Sequence, residues 1–309
     1  MLPARMDEVD ERKPLTNSDF SIRINGIYNM DCLEGMRLIP SGSVDLILSD
    51  LPYGMTQNSW DSIIPLDTLW QHYNRIIKLT GVVVLTAQGR FVGDLMNSNK
   101  AWYKHEWIWE KTNASGFLNA KRRPLTAHEN CLVFTEGRNT YNPQMTLGAP
   151  YTARRKPTAS KNFGKCTKES EIVSVGPRYP RTVLRFPHDR EHLHPTQKPV
   201  ALFEYFIRTY TNPGETVLDN CIGSGTTAIA AINAGRSYLG FELDPDYFQV
   251  AQDRIAKHKA SLKDAAEAQA SWECAMRIDD PAVITDERER RYDLFRERIL
   301  ALAANERAA

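Results

Sequence analysis

Apolar residues recur along this chain with two different spacings, and the two spacings alternate. Residues 65–81 carry apolar side chains three or four positions apart and end in a glycine, which predicts an amphipathic helix. Residues 44–49 and 82–87 are instead short apolar runs rich in β-branched residues and leucine, which is typical of buried strands. This alternation of strand and helix predicts an α/β fold with a parallel sheet.

The same patterns predict further elements on both sides of a less regular segment. The expected elements before it are a strand or hairpin at 22–31, a helix at 32–39 and strands at 105–111 and 130–136. The expected elements after it are a helix at 199–211, a strand at 215–221, a helix at 225–235, a strand at 237–244 and a helix from Pro245, a residue suited to a first helical turn.

Residues 140–193 lack periodicity and are dominated by Pro, Gly, Lys, Arg, Ser and Thr. They are therefore interpreted as an inserted, loop-rich module. The predicted segments are a disordered lead at 1–20, a first half of the fold at 21–139, the insert at 140–193, a second half at 194–262 and a charged, mostly helical tail at 263–309. A narrow apolar stripe within 283–302 fits either a surface helix that packs on the body or a contact in a homodimer.

The net charge of +1 is unevenly distributed. Between Leu118 and Arg190 the chain has fourteen Lys and Arg against five Asp and Glu, a net charge of +9, so the remainder carries −8. A basic segment in an otherwise acidic chain indicates a polyanionic partner such as nucleic acid, the alternative being a loop whose charges face water.

Composition narrows the class of protein further. No apolar run approaches the roughly 20 residues of a membrane-spanning helix, and the first 20 residues lack the apolar core of a secretory signal. The five cysteines are scattered, which fits free thiols in a cytosolic protein better than disulfides. We therefore expect a cytoplasmic protein without a membrane partner.

A glycine-rich loop, within VLDNCIGSGTTAIAA at 217–231, separates a predicted strand from a predicted helix. It lacks the Gly-Lys-Ser/Thr of a phosphate-binding P-loop, because two threonines follow Gly225. Three interpretations of the loop stay open: it binds a dinucleotide, it binds S-adenosylmethionine (SAM), or it is only a tight turn between strand and helix. Asp219 before the loop and Glu242 at the tip of the next strand favour a nucleoside-containing cofactor, since an acid there can accept both ribose hydroxyls.

The run ILSDLPYGMT, at 47–56, ends a predicted strand in an acid, a proline and a tyrosine. Pro52 restricts Leu51 to an extended conformation, which directs the Leu51 carbonyl outward as an acceptor. Asp50 and that carbonyl would supply two acceptors beside the flat ring of Tyr53. The set suits an aromatic exocyclic amine such as that of a nucleobase, although these residues are also common in plain turns.

These motifs carry a family resemblance. DLPYG, at 50–54, resembles the D-P-P-Y motif of DNA amino-methyltransferases, LDNCIGSGTT…GFELD resembles their SAM-binding motif, and 194–219 resembles the segment before it. The order of catalytic motif, basic insert and SAM motif is that of the β class, and the resemblance covers roughly 24–256. This chain departs from the family at Leu51, where the first proline is usual, and at 220–221, where Pro-Phe is common.

The resemblance implies a doubly wound, mostly parallel, seven-stranded Rossmann-like sheet with a catalytic half, a target-recognition insert and a SAM-binding half. It implies that the target base is held by Asp50, the Leu51 carbonyl, Pro52 and Tyr53, and that 108–113 lines the far side of the base pocket. The implied SAM-binding residues are Asp31 near the adenine ring, Thr196, Gln197 and Lys198 near the carboxylate, Asp219, Gly223, Ser224, Gly225, Thr226 and Thr227 around the methionine part, and Glu242 at the ribose. The basic residues expected on DNA are Arg122, Arg123, Arg154, Arg155, Lys156, Lys161 and Lys165.

The implied reaction is methyl transfer from SAM to adenine N6 of double-stranded DNA after base flipping, which would associate the protein with the nucleoid. In the family, Asp at position 50 goes mostly with adenine and Ser mostly with cytosine N4, and Ser49 lies directly before Asp50. Cytosine N4, an RNA substrate, a nicotinamide-dependent oxidoreductase and a silent nucleic-acid-binding subunit stay as alternatives. No metal is expected, although His188, His192 and His194 stand close in sequence.

Overall fold

The computed structural model describes residues 22–54, 61–156, 158–160, 164–166, 169–191, 193–194 and 196–276. The predicted lead at 1–20, the apolar stripe at 283–302, Lys161 and His192 lie outside these residues. Arg155 and Lys165 lie in strands, but their side chains are outside the described part.

Six α-helices lie within the described ranges: α1 Cys32–Arg37, α2 Leu66–Ile76, α3 Arg90–Ser98, α4 Val200–Tyr210, α5 Thr226–Ala234 and α6 Pro245–Met276. The strands there are β1 Gly26–Asn29, β2 Val44–Ser49, β3 Ile77–Ala87, β4 Tyr103–Ser115, β5 Thr126–Phe134, β6 Thr146–Leu147, β7 Tyr151–Arg155, β8 Thr158–Ser160, β9 Gly164–Cys166, β10 Ser170–Ser174, β11 Pro177–Arg178, β12 Val183–Arg185, β13 Thr216–Asp219 and β14 Ser237–Glu242. A short 3-10 helix spans Phe117–Asn119. None of the described helices has the length and apolar character needed to cross a bilayer.

The main sheet has the strand order β1-β14-β13-β2-β3-β5-β4-β12. Its strands are parallel except β5, which is antiparallel to β3 and β4. The predicted α/β fold with a mostly parallel sheet is confirmed, but the sheet has eight strands, so the prediction of seven is wrong. The eighth is β12, in which Leu184 pairs with Trp109 of β4. Its three residues are too few, in a segment rich in Pro and Arg, to show a strand period.

The sheet is covered by helices on both faces because its central strands are apolar on both sides. Leu46 and Leu48 of β2 pack in a core with α4, α5 and α6. Ile47, between them, points into the opposite core, which contains residues of α1, α2 and α3. Each fully buried aliphatic side chain of this kind stabilises the fold by about 1.5–3 kcal/mol relative to exposure. The two cores hold the ends of the central strands in fixed positions.

Helices α2 and α3 differ from the sequence-based expectation. Helix α2 ends at Ile76 instead of reaching Gly81, because Ile77 adopts an extended conformation and pairs with Val44 of β2. Helix α3 was not predicted. It buries only Phe91 and Leu95, and two apolar contacts four residues apart give a weak helical pattern.

The insert at 140–193 is attached to the main fold at both ends. Near its start, the Asn142 backbone amide donates to the carbonyl of Thr209 at 2.7 Å, and the Asn142 side chain donates to the carbonyl of Thr211 at 3.0 Å. Near its end, β12 joins the main sheet. Between these points the chain forms short antiparallel pairs, β6 with β11, β7 with β10 and β8 with β9. The insert therefore consists of short strand pairs in addition to the predicted loops.

Candidate active site

A cavity of about 900 Å³ opens at the carboxyl ends of β2, β13 and β14. Asp50, Lys198, Asp219 and Glu242 all line it. Parallel strands bring their carboxyl ends to one edge of a sheet, where ligands of doubly wound folds bind. The two motifs, which are far apart in sequence, therefore share one site.

Asp50 follows β2 directly, and its carboxylate accepts three hydrogen bonds. The Tyr53 hydroxyl donates to Oδ1 at 2.6 Å, and the Thr86 hydroxyl donates to the same oxygen. Lys198 Nζ donates to Oδ2 at 2.5 Å. A carboxylate has about four acceptor positions, so Oδ2 retains capacity for one further donor.

Lys198 belongs to a buried cluster of charges that extends away from Asp50. Its Nζ lies 3.3 Å from Glu129 Oε2, and Glu129 Oε1 accepts from Lys111 Nζ at 3.0 Å. Burial lowers the pKa of Lys198, but the charges of Asp50 and Glu129 outweigh it and raise the pKa above its ordinary value. Burial likewise raises the pKa of Glu129, whereas Lys198 and Lys111 bring it below the ordinary value. Lys198 and Glu129 are therefore held in their charged forms.

Tyr53 is fixed by its ring and by its hydroxyl. The ring packs against Phe91 with a centroid distance of 5.2 Å and lines the cavity. Burial, together with the charges of Asp50 and Glu129, raises the pKa of Tyr53 well above its ordinary value. The hydroxyl therefore stays protonated and remains a donor to Asp50.

Asp219 is buried at the end of β13, in front of the glycine loop. Its Oδ1 accepts from the Ser49 hydroxyl at 2.7 Å and from the Cys221 amide at 3.0 Å. Its Oδ2 accepts from the Thr227 hydroxyl on α5. Burial is the main cause that raises the pKa of Asp219 to about 6, against the lowering effect of these hydrogen bonds. A buried carboxylate with a raised pKa favours a cationic ligand group, which would stabilise its ionised form.

Glu242 ends β14 and orders the glycine loop. Its Oε2 accepts from the Gly223 amide at 2.8 Å, and its Oε1 accepts from the Asp244 amide at 3.0 Å. Gly223 and Gly225 have φ angles of 52° and 84°, a left-handed conformation that favours glycine. Because each carboxylate oxygen of Glu242 uses one acceptor position, each retains another for a ligand hydroxyl.

The segment Thr196–Lys198 divides between the two sides of the cavity. Gln197 Oε1 accepts from the Ser224 hydroxyl at 3.1 Å in the glycine loop, whereas Lys198 extends to Asp50. Asp31 also lines the cavity, where its Oδ1 caps α1 by accepting from the Leu33 amide at 2.8 Å. The roles predicted for these residues at the cofactor stay predictions.

The wall predicted at 108–113 contributes three alternating side chains to the cavity, those of Trp109, Lys111 and Asn113. Of the predicted DNA-binding residues, none whose side chain is described lines the cavity. Those whose side chains are described are exposed: Arg122 and Arg123 after the 3-10 helix, and Arg154 and Lys156 in the insert. Their role on DNA stays a prediction.

Three further residues of the site were not predicted from the sequence. Thr86, the last but one residue of β3, donates to Asp50, and Glu129 pairs with Lys198. Arg254 of α6 donates to the carbonyl of Ser224 at 3.2 Å and so holds the glycine loop. Glu129, two residues before the apolar run at 131–134, is the only one of the three that the sequence pattern indicates.

Two histidines predicted to be unrelated to metal make ring contacts at the cavity. The centroid of His188 lies 5.0 Å from that of Trp109, and the centroid of His194 lies 4.2 Å from that of Tyr247. Over the part of the chain that the structure describes, no group of three or more His, Cys, Asp or Glu side chains is arranged to hold a metal ion.

Sequence comparison identifies related proteins. The family model for DNA methylase (N6_N4_Mtase) matches residues 44–253. The Type II methyltransferase M.HinfI of Haemophilus influenzae is 27% identical over 270 residues, which are 78% of this chain and 71% of that protein. The DNA adenine methyltransferase YhdJ of Escherichia coli (strain K12) is 28% identical over 282 residues, which are 84% of this chain and 94% of that protein.

Solved structures share the fold. The cytosine-N4-specific PvuII DNA methyltransferase aligns with a TM-score of 0.54 at 16% identity, over 77% of this chain and 92% of that chain. The M1.HpyAVI–SAM complex aligns with a TM-score of 0.51 at 24% identity, over 74% of this chain and 98% of that chain. At these identities the likeness concerns the architecture.

Proposed function

This chain belongs to the DNA methylase family, whose model matches residues 44–253, and we propose that it methylates the N6 amino group of adenine in double-stranded DNA with SAM as methyl donor. The observation that carries the proposal is the shared cavity. An acid suited to an exocyclic amine, Asp50, lies in the same cavity as the glycine loop with Asp219 and Glu242.

The residues around the glycine loop fit SAM in size and in chemistry. A cavity of about 900 Å³ is in the range of sites for small ligands and cofactors. The Asp219 carboxylate suits the methionine ammonium, and the free acceptor positions of Glu242 suit the ribose hydroxyls. Asp31 would lie near the adenine ring of the cofactor. When bound, SAM supplies an electrophilic methyl group on its sulfonium.

The Asp50 site would activate the amino group of the target base by electrostatics. The open acceptor position on Asp50 Oδ2 can take one amino proton, and the Leu51 carbonyl is proposed to take the other. Both acceptors draw the protons out of the ring plane, so that the nitrogen becomes pyramidal and its lone pair leaves conjugation with the ring. Because Tyr53, Thr86 and Lys198 hold the carboxylate in place before the base arrives, little reorganisation is needed during the reaction.

The target nucleotide must leave the duplex to reach this cavity. The adenine N6 atom is paired inside DNA, so we propose that the base is flipped at a cost of a few kcal/mol. Stacking on the Tyr53 ring would return about 1–3 kcal/mol. The basic residues of the insert would hold the phosphates. A DNA substrate agrees with the expected cytoplasmic, nucleoid-associated location.

Adenine is favoured over cytosine N4 by the positions of Ser49 and Asp50. Ser49 is fully buried in β2, and its hydroxyl is already bonded to Asp219, whereas Asp50 lines the cavity. In the family the acid goes mostly with adenine. The adenine specificity stated in the name of YhdJ points in the same direction. The fold shared with a cytosine-N4 enzyme keeps cytosine as the second candidate.

The proposal is tested by nucleoside mass spectrometry of DNA treated with the purified protein and SAM. We expect N6-methyladenine as the new nucleoside, and about a hundred- to thousandfold slower formation by Asp50→Asn with SAM affinity retained. N4-methylcytosine as the sole product would refute the base assignment alone. Normal turnover by Asp50→Asn would refute the catalytic role of the acid.

A further inference from the structure

The loop between β4 and β5 presents two large apolar side chains to solvent. Phe117 is 75% exposed and Leu118 is 86% exposed. They stand side by side in the 3-10 helix Phe117–Asn119. Adjacent exposed apolar residues at a projecting tip commonly mark a binding surface.

This tip is an ordered projection. Gly116, in a left-handed conformation with φ of 88°, turns the chain out of β4. The carbonyl of Asn119 then accepts from the amides of Arg122 at 2.8 Å and Arg123 at 3.0 Å. A compact backbone of this kind can hold its side chains in a fixed direction before any partner binds.

The loop connects two strands that line the candidate active site. Lys111, Asn113 and Ser115 of β4 line the cavity, and Glu129 of β5 lines it after the chain returns. The loop therefore leaves and rejoins the fold beside the cavity.

The charge around the tip indicates the kind of partner. A basic run, Lys121 to Arg123, follows the apolar pair, and no acid occurs between Glu110 and Glu129. A second copy of this chain, docked by a two-fold axis on the same loop, would bring these cations against one another. Duplex DNA instead offers phosphates to the basic run and an apolar base stack to the tip.

We propose that Phe117 and Leu118 form an apolar wedge that enters the DNA base stack beside the flipped target nucleotide. The basic run binds the adjacent phosphates and so sets the depth of the wedge. Inserted apolar side chains are a general means of unstacking a base step, which costs a few kcal/mol. The inference rests on the proposed function, since it assigns to the loop the step that brings the target base into the cavity.

The test compares two DNA duplexes that carry the recognition sequence, which is first mapped by sequencing methylated DNA from cells expressing the wild type. In one duplex the target adenine faces thymine, and in the other it faces an abasic site that leaves it unpaired. The test variant is Phe117→Ala/Leu118→Ala. The control is Leu79→Ala, which removes a side chain that is 79% exposed. Leu79 lies near the amino end of β3, whereas the cavity lies at the carboxyl ends of the strands.

We expect the double variant to methylate the paired duplex at least about tenfold more slowly than the wild type, and the abasic duplex within about twofold of it. The control should match the wild type on both duplexes, and unchanged SAM affinity will show that the double variant is folded. An equal loss on both duplexes, or no loss on either, overturns the wedge. So does a change from dimer to monomer with unchanged rates, which would assign the tip to a self-contact. Wild-type protein that methylates neither duplex overturns the proposed function itself.

Discussion

Replacing Lys198 by methionine tests what this cation does in the active site. Lys198 Nζ is 2.5 Å from Asp50 Oδ2 and 3.3 Å from Glu129 Oε2, so the two carboxylate oxygens lie no farther apart than the sum of these distances, 5.8 Å. Methionine has a similar length and no charge. The variant therefore leaves two carboxylates facing each other in a buried site without the cation between them.

The repulsion can be worked out from this separation. Two unit charges 5.8 Å apart at an effective dielectric constant of about 20 repel by about 3 kcal/mol, which corresponds to about two pH units. One of the two carboxylates should then take up a proton at a pH about two units higher than it does with the cation in place, as closely spaced carboxylates do. A protonated pair is a weaker acceptor for the amino group. The rate should therefore fall about tenfold at the acidic end of the wild-type plateau, and recover as the pH rises.

The assay is the initial rate of transfer of a radiolabelled methyl group to DNA at pH 5.5 to 9.5. Lys111→Met is a matched control, because Lys111 is nearly as buried and pairs with Glu129 but is not bonded to Asp50. We expect a much smaller shift for this control, since Lys198 still separates the two carboxylates. Thermal unfolding of both variants will report any loss of stability.

One result would refute this reasoning. If Lys198→Met keeps the pH profile of the wild type and instead binds SAM more weakly, Lys198 acts on the cofactor carboxylate, as the family resemblance implies. The contact with Asp50 would then describe only the free protein.

Three further predictions concern the cofactor and the DNA. Glu242→Gln should weaken SAM binding about ten- to a hundredfold in calorimetric titration, because an amide is a poorer acceptor for the ribose hydroxyls; unchanged affinity would separate Glu242 from the cofactor. Since the pKa of Asp219 is raised to about 6 and its ionised form is the one that pairs with a cation, SAM affinity should fall as the pH drops below about 6, by up to tenfold per unit. Asp219→Asn should remove that dependence, and a wild-type affinity that is constant from pH 5 to 7 would contradict the assignment. Arg154→Glu/Lys156→Glu should lower the slope of log affinity for DNA against log salt by about two, whereas an unchanged slope would mark both as solvated charges.

The catalytic end of the fold was the part most accessible to sequence reasoning. Strand β2 was predicted with its observed bounds, because all its residues are buried and a proline two residues after Asp50 limits extension. Helix α5 and its glycines were also anticipated, since Gly225 and Gly235 occupy left-handed positions at its two ends. These features are local: each depends on residues that are adjacent in the sequence, and the sequence alone can therefore predict them.

The rest depends on contacts between distant segments. The partner of Lys198 could not be read from HPTQKP, because the choice between the cofactor and Asp50 is set by how α4 packs beside β2. Glu129 is apparent as a candidate only once β5 is known to pair with β3 and β4. Strand β12 forms only because β4 offers it an open edge, which no property of its three residues reveals.

The double attachment of the insert bears on how new specificities can arise in such a protein. Asn142 fastens the insert to the end of α4, and β12 fastens it to β4, so the stretch between them can be exchanged while both junctions stay unchanged. If this stretch recognises the DNA sequence, as the family resemblance implies, its residues can change during evolution without disturbing Asp50 or the glycine loop. Exchange of a cassette spanning 143–182 with that of a relative is thus a route to enzymes that retain their chemistry and read a different DNA sequence.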